Sequence, residues 1–354
     1  MSPTSLNDTL GKNVLSYVKM CSYINILLIN SNYPKIGYIY RIYEMSMIYY
    51  AKIFVGLLIK IAILSWGFGI SMNGINPVRA NNAIDEVAFA IHFKQRLDSE
   101  EFLVKLENLA HEIKDVLPEH EMINSFTVEL SPLKGSNQTS EKPSGITCYK
   151  TSKNIPNRHE WSLRIDGERI TVGCSEYSSW NDVSTQAKGL LSKALKKIDI
   201  TSNPINEIAF QCIDRFESDT SEPTLADVFN ISSIYLTKHL VESNESSWHV
   251  HQGWFTDSQE IGTKLLNNLN INSHNKQYLE NGVVVPGKAI NETIISHLVR
   301  IKNEGIIETS DINDLNGKDG YLTKVFNAAH NLNKEAIKNL LNESMLLKIG
   351  LDDV

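Results

Sequence analysis

Apolar residues recur along this chain with two different periods, which alternate from one segment to the next. In residues 161–177 every second residue is apolar on both sides of Asp166-Gly167, a dipeptide that suits the type I′ turn of a β-hairpin. Residues 180–198 then carry apolar side chains at helical spacing, with Ser179 before them as a candidate N-cap. A chain that switches in this way between periods of 2 and 3.6 is expected to fold as α+β, with antiparallel sheets and helices packed on one face.

The same two patterns predict further elements. A helix begins near Asp98 and ends before Pro118, a second contains Leu322 and Phe326, and a separate third begins at Asn333 as its cap. The composition of residues 133–145 predicts a mobile loop. The strands are predicted at residues 84–93, 126–130, 205–216, 248–256 and 290–302.

A short repeat suggests how these elements are grouped. Residues 82–89 recur 121 positions later as residues 203–210, with five of eight residues identical, and both copies open a predicted strand. A duplication would place them in equivalent strands, and the alternative is chance recurrence of a short strand entry. We therefore expect an N-terminal α+β half at 74–200 and a related C-terminal half at 203–354.

Residues 1–71 differ in composition from everything that follows. They hold six basic and two acidic residues, whereas the rest of the chain holds 28 basic and 39 acidic residues. Residues 53–70 are almost continuously apolar and would span about 27 Å as a helix, although Lys60 interrupts them. Three interpretations stay open: a start codon assigned too early, a membrane anchor through residues 53–70, or a structural extension. The expected location is cytoplasmic, or membrane-anchored if residues 53–70 insert.

Charge and cysteine content exclude several classes of function. The body after residue 71 carries a net charge of −11, which repels phosphate backbones, so we expect no nucleic-acid partner. No C-x-x-C pair suggests a cysteine zinc site, and the number of cysteines in the body is odd. Phosphate-binding loops, nucleophile elbows and H-E-x-x-H helices are missing from the sequence, so no cofactor is expected.

One pair of side chains stands out as a candidate binding site. His249 and His251 are two residues apart in a predicted strand, so both imidazoles point to one face and could converge on an anionic group or a metal. A metal would need a third ligand, and His297 on another predicted strand could approach. The alternative is a solvated polar face, with Trp248 and Trp254 packing on the other side, and we predict no metal and no catalytic residue.

Other polar and aromatic residues have simpler explanations. Glu86 and Glu207 occur in both copies of the repeat, but acids beside strand starts are normally exposed. Tyr177 and Trp180 are more typical of partly buried side chains than of a stacking platform, and His330 is more typical of helix packing than of a ligand. The remaining candidates are a basic strip on the hairpin and a turn that resembles a calcium loop without its required glycine and glutamate: Lys150, Arg164, Arg169 and residues 311–320.

Four segments together resemble a known family. They are residues 82–89, residues 169–180 with their Tyr-x-x-Trp ending, the strand at 205–216, and the Phe-x-x-x-His element of residues 326–330. The chain resembles, over about residues 74–350, a sporadically distributed, uncharacterised family of prokaryotic proteins. That family usually carries Arg-Tyr-Ile-Asn in its central strand, where this chain has Gln211-Cys212-Ile213-Asp214. The resemblance implies no activity, because none is established for the family.

Two functions are consistent with these observations. The first is a binding or interaction module of a prokaryotic accessory system, with a protein partner, since no catalytic constellation emerges. The alternative is an enzyme, a hydrolase or nuclease whose site is assembled from distant strands. A buried cluster of His, Asp and Glu in one pocket would favour the enzyme, and an exposed apolar patch would favour the module.

Overall fold

Ten strands form one antiparallel sheet in the computed structural model. It describes residues 74–97, 100–130, 137–155, 157–198, 203–218, 223–243, 245–280, 283–302 and 320–351. The strands are β1 (Ile75–Pro77), β2 (Ile84–Phe93), β3 (Glu119–Leu130), β4 (Asn137–Thr151), β5 (His159–Ile165), β6 (Arg169–Cys174), β7 (Ile205–Ser218), β8 (Trp248–Ser258), β9 (Thr263–Glu280) and β10 (Val283–Lys302).

Six helices accompany the sheet in the described residues. Ser179 caps the second of them as predicted, because its side chain accepts a hydrogen bond from the backbone N–H of Asp182. The helices are α1 (Glu100–Glu112), α2 (Trp180–Leu195), α3 (Leu225–Val228), α4 (Lys238–Glu242), α5 (Tyr321–Leu340) and α6 (Glu343–Lys348). The α+β class with a predominantly antiparallel sheet is therefore confirmed.

The repeated segments lie side by side at the centre of the sheet. The strand order is β3-β4-β5-β6-β2-β7-β10-β9-β8, and β1 pairs with β7 outside this row. Phe89 is paired with Phe210, its counterpart in the repeat, and Ala90 is paired with Ala209. Outward from this central pair, the strands of the N-terminal half follow in the order β2, β6, β5, β4, β3. Those of the C-terminal half follow in the order β7, β10, β9, β8. In both halves the first strand of the row in sequence is central and the last one lies next to it. The two copies of the repeat therefore occupy equivalent strands.

The described helices pack on one face of the sheet, which we call the closed face. Alternate residues of β2 point to it, and Val87, Phe89 and Ile91 are each at most 1% exposed. An aromatic cluster joins β2 and β7 to α2 and α5: the Phe89 ring lies 5.3 Å from that of Phe210 and 5.0 Å from that of Phe326. Burial of these large rings, together with their edge-to-face contacts, fixes the central strands against the helices.

Three local predictions were wrong. Residues 137–145 belong to β4 rather than to a mobile loop, because β3 supplies hydrogen-bonded partners for this polar sequence. Asn333 is not a cap but lies inside α5, where its side chain is buried and bonded to His297. The turn at Asp166-Gly167 is not type I′, since neither residue has a positive φ. Instead, the Asp166 carboxylate accepts the N–H groups of Glu168 and Arg169.

Several predictions fall outside the described residues. They concern the segment at 1–71 with its apolar run at 53–70, the cap at Asp98 and the turn at 311–319. Within the part of the chain that the structure describes, no helix is both long and apolar enough to cross a membrane.

Candidate functional site

The face of the sheet opposite the helices, which we call the open face, holds a cavity at its centre with both polar and apolar lining residues. No helix among the described residues covers it. The cavity has a volume of about 230 Å³. Its floor consists of small side chains, because alanines occupy paired positions on β2 and β7. The central cavity is lined by Ala88, Ala90, His92, Arg169, Thr171, Glu207, Ala209, Gln211, Leu298 and Arg300.

His92 lies at one end of this cavity, between Arg169 on β6 and Glu207 on β7. Burial lowers the pKa of His92 below its usual value; the carboxylate of Glu207 opposes this shift, and the charge of Arg169 reinforces it. The neutral imidazole therefore offers one donor and one acceptor near pH 7. His92 and Arg169 also line a neighbouring cavity of about 260 Å³, which reaches Arg96.

Glu207 forms a bidentate ion pair with Arg300. The Arg300 Nε lies 2.8 Å from one carboxylate oxygen and its Nη2 lies 2.7 Å from the other. Glu207 is only 6% exposed, so the expectation of an exposed acid was wrong. Glu86, its counterpart in the repeat, pairs with Ile213, whereas Glu207 pairs with His92. The six residue steps from Glu86 to His92 along β2 separate the two carboxylates by about 20 Å, too far for joint acid–base chemistry.

At the rim of the cavity, two arginines share a single carboxylate. Arg169 and Arg164 share one oxygen of Asp166, at distances of 3.4 and 3.5 Å from their Nε atoms. The other oxygen of Asp166 accepts two backbone N–H groups of the turn. Two guanidinium groups, each nearly half exposed, thus depend on one carboxylate that the turn already uses. Of the three residues considered as a possible basic strip, Arg164 and Arg169 therefore lie together at Asp166, while Lys150 pairs with Glu160 at 2.6 Å.

A buried ion-pair network lies at the other end of the central strands. Asp85 is 5% exposed, and its carboxylate oxygens lie 2.6 Å from Arg158 and 2.8 Å from Arg215. Burial alone would raise the pKa of Asp85, but the hydrogen bond from Arg158 and the charge of Arg215 hold it below its usual value. Arg215 also reaches Glu292 at 3.0 Å, and Lys276 lies 2.6 Å from the same oxygen. Each buried carboxylate of this network therefore has two cations.

The closed face carries a different polar group beneath α5. The Sγ of Cys212 lies 3.8 Å from the carboxylate of Asp214, and Asn333 bonds both the thiol and the Nδ1 of His297, the latter at 3.2 Å. No cation accompanies Asp214 in its resolved contacts, and burial raises its pKa to about 7, opposed in part by the hydrogen bond from Cys212. Burial lowers the pKa of His297 to about 4 and raises that of the Cys212 thiol. The set resembles a Cys-His-Asn catalytic arrangement in composition, but its four side chains are at most 5% exposed.

The predicted histidine pair lies on the outermost strand. His249 and His251 are both exposed on the open face of β8, opposite Asn272 and Asn270, and His249 Nδ1 contacts the Asn272 amide oxygen. Trp248 and Trp254 pack with the hydrophobic core on the other side of the strand. His297 is on the closed face, directly paired with Cys212, and cannot join the two histidines as a ligand. Within the described ranges, no group of three or more His, Cys, Asp and Glu is placed to hold a metal ion.

The remaining predicted candidates belong to the core. The imidazole of His330 stacks on the indole of Trp180 with ring centres 4.0 Å apart, and burial lowers its pKa to about 4. The Trp180 Nε1 donates to Asn327 at 3.0 Å. Burial raises the pKa of Tyr177 well above its usual value. These environments fit packing roles.

Sequence reasoning missed much of the central cavity. His92, Gln211 and Arg300 were not singled out, because each is an ordinary strand residue in isolation. The signal that could have found them is alanine at alternate positions of two central strands, Ala88 and Ala90 in one and Ala209 in the other. Small side chains in otherwise bulky strands indicate that something else occupies the space.

Comparison with known proteins adds no assignment: the chain matches no protein-family model and no curated protein.

Proposed function

We propose that this chain is a binding module that holds a protein partner on its open face, with an acidic side chain of the partner in the central cavity. The observation that carries the proposal is the shared carboxylate at the rim, where Arg164 and Arg169 both depend on Asp166. A carboxylate from outside would give Arg169 the bidentate partner that a guanidinium group prefers. Neutral His92 can add a hydrogen bond to the same group.

The size of the cavities supports a partner side chain over a small cofactor. Volumes of about 230 and 260 Å³ lie below the roughly 300–1,000 Å³ typical of small-molecule sites. The two cavities share His92 and Arg169 in their lining, so a larger partner can cover both. The excess of acidic residues in the body weighs against a nucleic acid as that partner.

The environment of Cys212 weighs against the enzyme alternative. A nucleophilic cysteine needs a stabilised thiolate and access for substrate. Cys212 is 1% exposed, and its raised pKa favours the thiol. Cys148 and Cys174 are also free and buried, and burial raises the pKa of each to about 11. Free thiols in the described core are typical of a reducing compartment. A place in a prokaryotic accessory system, in the cytoplasm, is part of this proposal, as is kinship with the sporadically distributed family.

Binding of defined peptides tests the proposed chemistry. Fluorescence anisotropy would compare a labelled acidic peptide, with one glutamate among neutral residues, with the same peptide carrying lysine at that position, using the full chain. We expect the acidic peptide to bind more tightly, and Arg169→Glu to weaken it by at least about tenfold, as the loss of a charge-assisted contact implies. Lys238→Glu, the same charge change at an 88% exposed site on α4, is the matched control. Equal binding of both peptides, or equal loss in both variants, would contradict the proposal.

Site-specific crosslinking in the host cell tests whether the partner binds at the central cavity. A photoreactive amino acid replaces Thr171 at the cavity or Glu107 on the exposed side of α1. A discrete protein adduct is expected only from position 171, and Arg169→Glu should abolish it. An adduct that forms equally from both positions, or one that nuclease treatment removes, would exclude the open face as a protein-binding surface.

A further inference from the structure

The strand β8 ends the sheet, and no strand of the described residues pairs with its outer edge. Its inner edge pairs with β9 over eleven consecutive residues without a register shift. An outer edge of this length presents a row of backbone N–H and C=O groups ready to pair with another strand.

The two edges of the sheet differ in how they are protected. The opposite edge strand, β3, has a register irregularity at Ile123/Asn124 and carries Glu119 and Glu121 on one face. Bulges, charged side chains, lysine and proline are the usual protections of an edge. β8 contains no lysine and no proline, has no bulge, and carries a single acidic residue, Asp257. Its outer edge therefore lacks the usual protections against pairing.

The sequence of β8 is complementary to itself in antiparallel pairing. If Gly253 lies on a two-fold axis, His249 of each copy faces Asp257 of the other, which places an imidazole beside a carboxylate twice. In the same register His251 faces Phe255. Phe255 is 68% exposed in the chain, and pairing would cover part of its ring.

A second exposed apolar residue lies next to the same edge. The side-chain amide of Gln252 donates to the carbonyl of Tyr235, and the Tyr235 ring lies 5.0 Å from that of Trp254. Ile234, the residue before Tyr235, is 82% exposed. Large apolar side chains this exposed, close to an unprotected edge, are typical of an interface.

We propose that two copies of this chain associate through β8, antiparallel and with Gly253 on the two-fold axis, to form one continuous twenty-stranded sheet. The occupant of the edge is a second copy, because each His249 imidazole faces an Asp257 carboxylate, and each Phe255 ring gains a cross-strand neighbour, when the strand meets itself in this register. The open faces of both copies then lie on the same side of the joined sheet, so the dimer presents two central cavities to one partner.

Disulfide trapping tests the register directly. In a Cys21→Ser background, the native cysteines that remain are the three buried ones. Gly253→Cys places its thiols across the axis, where paired Cα atoms are about 4.5–5.5 Å apart, within disulfide range. The added Cβ meets the Asn268 amide oxygen at 3.3 Å and the Asn267 carbonyl oxygen at 3.5 Å, contacts that a small shift of the Asn268 side chain relieves. We expect a covalent dimer on mild oxidation.

The control positions fix the register. His249→Cys alone should not crosslink, because two such residues lie about 26 Å apart along the paired strands. A mixture of His249→Cys and Asp257→Cys chains should crosslink. Efficient self-crosslinking of His249→Cys would overturn the proposal, as would failure of Gly253→Cys to crosslink.

Sedimentation of the otherwise native chain supplies the second test. We expect a dimer mass for the full chain and a monomer mass for Phe255→Lys, which places a charge at the junction. Val104→Lys changes another exposed apolar residue, 58% exposed on α1, and should leave the dimer intact. A monomeric native chain, or a dimer that survives Phe255→Lys and fails with Val104→Lys, would overturn the proposal. Loss of the dimer leaves acidic-peptide binding at the central cavity unchanged, so the two proposals fail separately.

Discussion

Two aspartates on neighbouring strands are equally buried and have opposite electrostatics. Asp85 on β2 is 5% exposed and Asp214 on β7 is 4% exposed. Two arginines contact Asp85, so its pKa is lowered; the only hydrogen bond resolved for the carboxylate of Asp214 comes from a thiol, and its pKa rises to about 7. Burial would raise the pKa of both carboxylates, and the neighbouring arginines reverse this shift for Asp85.

The same contrast separates the two faces of the sheet. The closed face holds uncharged groups beneath helices: neutral His297, protonated Cys212, and Asp214 with a raised pKa. On the open face, neighbouring cations lower the pKa values of the buried carboxylates of Asp85 and Glu292 despite their burial. The proposed recognition of an acidic side chain uses the open face, while the closed face holds most of the hydrophobic core.

The largest predicted effect is a difference in unfolding free energy between variants at two adjacent residues of β2, one on each face of the sheet. Phe89→Ala removes a fully buried ring at the centre of the aromatic cluster and should cost about 3–5 kcal/mol of unfolding free energy. Ala90→Ser, one residue further and on the open face, should change it by less than about 0.5 kcal/mol. Chemical denaturation of both variants measures the difference. Equal losses would mean that the open face is also a packed core.

The next effect concerns Asp214 and depends on pH. The folded-state pKa is about 7 and the ordinary pKa of an aspartate is 3.8, so the folded state binds an extra proton between these values. Stability from this group is full below pH 3.8 and is lost as pH rises through 7. Asp214→Asn should therefore match the native chain near pH 4 and exceed its unfolding free energy by about 2–4 kcal/mol above pH 8. His297 and His330 titrate in both chains and cancel in the difference. A gain that is constant across pH would contradict the account.

A smaller effect of opposite pH dependence is expected for Asp85. Asp85→Asn removes the 2.6 Å ion-pair partner of Arg158, which keeps Glu86 at 4.0 Å, and should cost about 1–3 kcal/mol at pH 7, reduced by the partial exposure of both arginines. The pKa of Asp85 is lowered, so its stabilisation is present above pH 3.8 and is lost as pH falls through the folded-state value. Denaturation at pH 7 and pH 3 measures both. Asp115→Asn, at an exposed position after α1, should show neither effect.

Local patterns were enough to predict most of the elements but not their neighbours. The alternation in β2, β5 and β6 and the apolar stripe of α2 are properties of short segments, and the structure confirms them. Residues 137–145 look like a loop because they are polar. Their strand conformation comes from pairing with β3, which composition does not encode. Asn333 looks like a cap because its buried partner, His297, lies 36 residues earlier.

The site was harder to predict for the same reason. Glu207 and Arg169 were each considered alone, as an exposed acid and as part of a basic strip. Their meeting at His92 follows from β2 lying between β6 and β7, and that order depends on pairings far apart in sequence. The repeat hinted that β2 and β7 were equivalent, yet it did not state that they would be adjacent.

The contrast between the two buried aspartates can be measured by NMR titration of the side-chain carboxyl carbon (Cγ) of selectively labelled aspartate. Asp85→Asn and Asp214→Asn assign the two resonances. The account predicts that Asp214 titrates near pH 7 and that Asp85 titrates below the ordinary range of an aspartate near 3.8. Two resonances that titrate together would contradict it, because burial alone would then decide the charge on both faces of the sheet.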